Sequence, residues 1–236
     1  MRTKVLLATL GAVAALVFSA AGLARGPARA TSASPSNFSP RVTNEWFPLA
    51  PSTTYVYTGV KDKRAVRDVM TVTGRTFTIA GVPCAVIEDR LYEKSGRVIE
   101  RTTDWYTQDK KGNVWYYGED TAELGKNGRV LSTEGSWRAG VDGAKPGIFM
   151  PAHPNVGQSF RQEFYKGHAE DHFRVLSLLG SVFLPSMKNA LWTQETTPLE
   201  PGVLDHKLYV RGIGMVLEHT VKGGDEHLEL VSVRRH

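Results

Sequence analysis

The chain has 236 residues, with 29 Lys and Arg, 24 Asp and Glu, a formal net charge of +5 and one cysteine. Four of the basic residues and none of the acidic ones lie in residues 1–30, so the remainder carries 25 basic and 24 acidic side chains. With this balance and no Lys/Arg stripe, the sequence predicts no nucleic-acid surface, and a single cysteine excludes an intramolecular disulfide.

Residues 1–30 have the pattern of a secretory signal peptide. Two basic residues precede an apolar run from Val5 to Leu23, and Ala28-Arg29-Ala30 supplies a small-x-small cleavage pattern. The alternative is a membrane anchor, because the run is almost long enough to span a bilayer. We favour the signal peptide and expect a secreted product without stable membrane insertion after processing. Residues 31–43 are predicted to form a disordered leader, and residues 44–236 a single β domain.

From Asn44 onward, short runs rich in Val, Thr, Tyr, Phe and Trp alternate with glycine-containing turns. This pattern predicts an all-β antiparallel meander that forms a barrel or curved half-barrel. The segment 135–157 is predicted to be one long Gly/Pro-rich loop. The predicted strands are Thr54–Gly59, Asp68–Ile79, Cys84–Glu93, Val98–Gln108, Val114–Gly118, Arg129–Glu134, Phe160–Lys166, His168–Leu178, Leu191–Thr197, Leu204–Val210, Met215–Val221 and Glu226–Val233.

Four segments resemble a family of secreted bacterial proteins of unassigned activity. They are NEWFPLAPSTTYVYTG from Asn44, DWYTQDKKGNVWYYGED from Asp104, STEGSWRAGVDGAKPGIFMPAHPNVG from Ser132 and LEPGVLDHKLYVRGIGMVLE from Leu199. The resemblance implies secretion but no cofactor or catalytic residue. The chain departs from the family pattern at Ser52, where Gly is usual, and in its histidines at 168, 172 and 219. The last segment also resembles the closing hairpins of periplasmic half-barrel lipid carriers, which is an analogy of fold.

One cluster combines aromatic rings with carboxylates on two adjacent predicted strands and the start of the long loop. Flat rings stack on sugars or other amphipathic molecules, while acids accept hydrogen bonds from hydroxyl groups. The alternative is ordinary β-sheet composition, because Trp and Tyr favour strands. The predicted ligand-binding residues are Asp104, Trp105, Tyr106, Trp115, Tyr117, Glu119, Glu134 and Trp137.

A second cluster follows from hairpin register. A two-residue loop at Gly212-Ile213 would place His206 opposite His219, and a four-residue loop at 199–202 would place Glu195 opposite His206. Glu195, His206 and His219 would then form an inward row able to orient a general base or hold a metal. The alternative is a structural network of buried, mutually hydrogen-bonded side chains.

Three smaller features are ambiguous. His168, Glu170 and His172 would share one face of a strand and could bind a metal, but two basic residues flank them, so we favour a solvated face and predict no metal site. Cys84 lies in an apolar run and is predicted to be a buried, unreactive thiol. Asp89 falls on an apolar strand face, which requires either a partner or a bulge.

These features support three hypotheses of function. The first is a secreted protein that binds a small apolar or amphipathic ligand, lipid or glycan, in a β cup. The second is a secreted hydrolase that uses carboxylates and histidines in the cup, and the third is a structural or inhibitory envelope protein. The residues do not identify a cofactor.

Overall fold

A computed structural model describes residues 34–180 and 189–236; the predicted signal peptide and the first three residues of the predicted leader lie outside this range. Apart from one turn of 3-10 helix at Pro35–Asn37, the regular structure in these ranges is β-sheet. The strands are β1 Phe38–Ser39, β2 Thr53–Lys61, β3 Arg64–Ile79, β4 Val82–Glu93, β5 Val98–Asp109, β6 Val114–Leu124, β7 Val130–Ser132, β8 Trp137–Arg138, β9 Lys145–Met150, β10 Ser159–Arg161, β11 Glu163–Phe164, β12 His172–Gly180, β13 Ala190–Thr196, β14 Leu204–Val210, β15 Gly214–Lys222 and β16 His227–Arg235.

The strands form one antiparallel sheet that curls on itself. Its order is β10-β12-β13-β14-β15-β16-β2-β3-β4-β5-β6-β9-β11, and β16 pairs with β2 along almost their whole length. The two ends of this path, β10 and β11, are separated in the chain only by Gln162. The sheet is therefore nearly closed into a barrel with one unsealed seam, which confirms the predicted architecture.

Two tight turns explain why β3 and β4 are longer than predicted. Asp62 and Lys63, with φ of 52° and 60°, connect β2 to β3, and Ala80-Gly81, with φ of 48° and 81°, connects β3 to β4. Positive φ at both central residues matches the twist of a two-residue hairpin. Asp62-Lys63 contains no glycine, so this turn carries little signal in the sequence.

The predicted long loop, residues 135–157, contains two short strands, β8 and β9, which both pair with β6. Gly118 permits the first of these pairings: its φ is +148°, and a Cβ atom there would lie 2.4 Å from the carbonyl oxygen of Trp137. A side chain at this position would push β8 away from β6.

The segment before β2 crosses one end of the barrel. The Asn44 side-chain amide donates to the carbonyl of Gly112 in the β5–β6 turn at 2.9 Å, and the backbone N–H of Gly212 in the β14–β15 turn donates to the carbonyl of Glu45 at 2.7 Å. Trp46 and Phe47 are buried between these anchors. The structure also differs from the predicted disordered leader, because β1 pairs with β5.

Candidate ligand-binding cavity

The inner face of the barrel lines a half-open cavity of about 310 Å³ whose wall is strongly acidic. Ten carboxylates and two lysines line it, together with aromatic and a few aliphatic side chains. The acids come from seven strands and from the loops before β12 and β16, because the inner faces of these elements meet at the cavity. The ten carboxylates are Asp68, Asp89, Glu100, Asp104, Glu119, Glu163, Asp171, Glu195, Glu218 and Glu226.

The two lysines are already engaged in salt bridges. The ammonium nitrogen of Lys207 lies 2.8 Å from Glu195 and 3.2 Å from Glu218. That of Lys61 lies 3.6 Å from Glu100 and 3.7 Å from Glu226. Burial raises the pKa of Glu226 to about 7 despite the nearby ammonium group of Lys61.

Asp104 lies at the centre of an aromatic group. The Tyr116 hydroxyl donates to its Oδ1 at 2.5 Å, and the Tyr116 and Tyr106 rings stack with centroids 4.6 Å apart. Phe149 packs edge-on against Tyr106 at 4.9 Å. Burial, together with the charge of Asp89, raises the pKa of Asp104 to about 7. This carboxyl group can therefore hold a proton near neutral pH.

A second buried acid, Glu163, lies beside the Trp137 indole. The indole N–H donates to Glu163 Oε2 at 2.7 Å. Burial and the charge of Asp171 raise the pKa of Glu163 to about 8. Glu119 also has a raised pKa, from burial and from its acidic neighbours Asp104 and Glu163. This side of the cavity therefore contains carboxyl groups that resist ionisation.

The carboxyl group of Asp89, which was predicted to lie on an apolar strand face, lies beside that of Asp68. Both line the cavity from the paired strands β3 and β4, so the neighbour of Asp89 is a second acid. Asp68 is 8% exposed and its Oδ1 has no hydrogen-bond partner in the described residues. Burial and the charge of Asp89 raise the pKa of Asp68 well above its usual value.

The predicted ligand-binding residues divide between the cavity and other surfaces. Asp104, Tyr106 and Glu119 line the cavity, and Trp137 lies behind it through its bond to Glu163. The other residues lie elsewhere: Trp105 stacks under the Arg138 guanidinium, Trp115 donates to Asp109 Oδ2, Tyr117 packs on Phe38, and exposed Glu134 contacts His168.

A bulge in β6 explains this division. Trp105 is paired with Gly118, whereas the next residue, Tyr106, is paired with Tyr116, so one extra residue interrupts the alternation of β6. As a result, Tyr116 and Glu119 both face the cavity although they differ in sequence parity. A strict alternation would have grouped Glu119 with Trp115 and Tyr117.

The predicted row Glu195–His206–His219 does not form. His206 does pair with His219, but Glu195 pairs with Asp205 and Gln194 pairs with His206. This one-residue difference places Glu195 in the cavity and leaves the imidazoles on the outer face, where His219 is exposed. The inward catalytic arrangement predicted for these three residues is therefore wrong.

The histidines form a different row on the outside. His219 also pairs with His227, whose Nδ1 lies 3.3 Å from His219 Nδ1 and whose Nε2 lies 2.8 Å from Glu229. His206 packs edge-on against Trp192. Within residues 34–180 and 189–236, no three His, Cys, Asp or Glu side chains are arranged to hold a metal ion.

The other predicted features have clear positions. His168 and Glu170 lie in the loop before β12, and His172 is its first residue, so the three do not share a strand face. His172 Nε2 accepts a hydrogen bond from Arg161 Nε at 3.1 Å. Cys84 is fully buried, and burial raises the pKa of its thiol to about 12, in agreement with the predicted unreactive cysteine.

Most of the acidic wall was not predicted from the sequence, and neither were Lys207 and its partner Glu218, whereas its other partner, Glu195, was among the predicted site residues. A signal was present in β5, where Glu100, Thr102, Asp104 and Tyr106 alternate with outward residues and form a polar inner face. Such a face is normally assigned to solvent. Only the closure of the barrel places it inside.

Comparisons with known proteins do not assign the chain to a family. No model of a protein family matches the chain, and no curated protein matches it. A protein inferred to be exported, with a YmcC-like fold, from Bacteroides fragilis NCTC 9343 is 11% identical with a TM-score of 0.47, covering 81% of this chain and 100% of that chain. A protein inferred to be a lipoprotein, from Parabacteroides distasonis ATCC 8503, is 8% identical with a TM-score of 0.42, covering 81% and 99%.

In the part of the chain that the structure describes, no helix is long and apolar enough to cross a membrane.

Proposed function

We propose that this chain is an exported protein that binds a small polar ligand in the cavity of its barrel. The observation that carries the proposal is the cavity wall, which combines aromatic rings with carboxyl groups around a volume of about 310 Å³. Small-molecule sites have volumes of roughly 300–1,000 Å³ and position a few polar groups among apolar ones. Export rests on the pattern of residues 1–30 and on the family resemblance.

Of the two ligand classes that the sequence left open, the cavity favours the glycan-like one. An acyl chain would cover the buried carboxyl groups without offering them hydrogen bonds, at about 1–3 kcal/mol for each group left unpaired. Hydroxyl or amino groups would donate to the same oxygens. The Tyr106 and Tyr116 rings, which line the cavity beside Asp104, supply an aromatic surface against which a compact ring can pack.

A matched pair of variants tests binding in the cavity. Thr102 lines the cavity, and its neighbour Thr103 has the opposite orientation on the same strand. We expect T102W to fill the cavity and T103W to leave it open. The ligand panel contains neutral sugars, amino sugars, linear amines and fatty acids. We expect its polar members to raise the melting temperature of the wild type and of T103W. Equal responses from T102W would place the ligand elsewhere and contradict the proposal.

Export has its own test. Mass analysis of the protein collected from the culture medium of the native host should find a new N-terminus near Thr31. Retention in the membrane fraction with Met1 intact would contradict this part of the proposal.

Hydrolysis of a glycoside is the second candidate, and the observation that favours it is that two buried acids, Asp104 and Glu163, line the same cavity. Asp104 and Glu163 have pKa values of about 7 and about 8, so two carboxyl groups in one cavity can hold protons near neutral pH, as a general acid must. If the protein is a hydrolase, some bound sugars should be cleaved, and E163Q should abolish cleavage while preserving binding. Binding without any product would exclude this candidate for the sugars tested.

A further inference from the structure

Six of the ten cavity carboxylates have no salt-bridge partner in the described part of the chain. Lys207 and Lys61 each contact two acids, which accounts for the other four. With all groups ionised, ten carboxylates and two ammonium groups give the cavity wall a formal charge of −8. The acids without a salt bridge are Asp68, Asp89, Asp104, Glu119, Glu163 and Asp171.

One of these six acids, Asp68, lacks a hydrogen-bond donor within the described residues for one of its carboxylate oxygens. Asp68 is 8% exposed and lines the cavity, yet among residues 34–180 and 189–236 its Oδ1 has no hydrogen-bond partner. A buried polar atom without a partner is rare and costly in folded proteins. The neighbouring acid, Asp89, lines the same cavity and adds a second negative charge beside Asp68. The position therefore lacks a hydrogen-bond donor, and a positively charged donor would satisfy both acids.

We propose that the ligand of this cavity is an organic polycation, a molecule that carries two or more ammonium groups. This inference rests on the proposed function, because it assigns a chemical class to the same site. An ammonium group offers three hydrogen-bond donors and one positive charge, and the acids surround the cavity from several strands. The aromatic group of Tyr106, Tyr116 and Phe149 adds faces that attract cations. Aminated sugars and linear polyamines share this chemistry.

Binding of such a ligand should release protons. Asp104 and Glu163 have raised pKa values of about 7 and about 8 in the free protein. A nearby ammonium group favours the ionised carboxylate, so the bound state holds fewer protons than the free state. Affinity should therefore increase as the pH rises from 6 to 8.5, provided that the ligand amines stay protonated.

The experiment is isothermal titration calorimetry of the processed protein with a linear triamine, an aminated trisaccharide, its neutral counterpart and calcium chloride. We expect at least one of the two amines to bind, with about tenfold higher affinity at pH 8.5 than at pH 6. Titrations in buffers of different ionisation enthalpy should show proton release. Which amine binds distinguishes the linear from the sugar-based source.

Two cavity variants and one surface variant assign the effect to the cavity. D68N and E119Q each remove one charge from the wall, and we expect each to weaken amine binding by about tenfold. D120N is the control, because Asp120 lies on the outer surface with a side chain 61% exposed, and it should bind as the wild type does. Circular dichroism checks that each variant is folded, and E119Q decides the question if D68N is not.

The outcomes separate this inference from the proposed function. If the neutral trisaccharide binds as tightly as the aminated one, and T102W blocks both, the cavity is a binding site but the polycation inference is wrong. If calcium alone binds with the same sensitivity to D68N and the amines do not, the inference is also overturned in favour of a metal. If nothing in this set or in the wider panel binds, the proposed function itself fails.

Discussion

Asp104→Asn removes one ionisable group from the cavity wall while preserving the shape of the side chain. The amide oxygen of Asn can still accept the hydrogen bond that Tyr116 donates to Asp104 Oδ1 at 2.5 Å. The substitution therefore changes the charge at this position and leaves its main hydrogen bond in place. Its effect should depend on pH, because the wild-type side chain is neutral at low pH and charged at high pH.

The magnitude follows from the pKa of Asp104, which burial and the charge of Asp89 raise from 3.8 to about 7. A carboxyl group with a higher pKa in the folded than in the unfolded state binds more protons when folded, so stability falls as the pH rises between the two values. This rise in pKa corresponds to a loss of about 4 kcal/mol in the free energy of unfolding between pH 4 and pH 8. D104N should not suffer this loss.

Urea denaturation at pH 4.5 and pH 8.5 measures the effect. The wild type should lose more free energy of unfolding over this range than D104N, by about 3–4 kcal/mol. D120N, on the outer surface, should follow the wild type within about 0.5 kcal/mol. If D104N and the wild type lose the same amount, Asp104 is ionised throughout, and the argument that the cavity holds protons is refuted.

Three further substitutions test the wall and one turn. K207M leaves two buried carboxylates without their cation and should reduce stability by about 3–5 kcal/mol at pH 8. The control K222M, at an exposed lysine, should have little effect. An equal loss from both would contradict the pairing of Lys207 with its two acids. W137F removes the donor to Glu163 and should cost about 1–3 kcal/mol, more at pH 9 than at pH 6, in thermal melts. S52G should stabilise by about 1 kcal/mol in the same melts, because Ser52 has a φ of 60°.

Much of the architecture could be predicted because alternation and turn residues are local signals. Predicted strands over Cys84–Glu93 and Val98–Gln108, for example, correspond to β4 and β5 with end shifts of two residues or fewer. The strands in the Gly/Pro-rich segment 135–157 could not be predicted, because they depend on β6. The pairing of β8 requires a backbone without a side chain at Gly118, a contact distant in sequence.

The acidic cavity was harder to predict because its residues resemble a solvated face. In β5, Glu100 and Asp104 alternate with outward side chains, as the acids of an exposed sheet face do. Closure of the barrel, which depends on the pairing of β16 with β2, places this polar face inside. The bulge in β6 then adds Glu119 to it. Neither effect has a signature within a single strand.

The pairing of His206 with His219 shows how register errors can cancel. The prediction assumed a two-residue loop, whereas the structure has a three-residue turn, Arg211–Ile213, and a register shift between Leu208 and Tyr209 that restores the predicted pairing. On the other side of β14 no shift compensates, and the single-residue error moves Glu195 to the face opposite His206.

The same register produces an acid–base row that the prediction did not contain. Lys207 is adjacent to His206 and therefore points inward, where it pairs with Glu218 of β15 and reaches Glu195 of β13. The three strands thus carry an ion-paired row on the inner face and imidazoles on the outer face. The sequence alone could not show which of the two sets of side chains faces inward, because a one-residue shift in register exchanges the inner and outer faces. The register places a lysine with its acids in the cavity and leaves the imidazoles on the outer face.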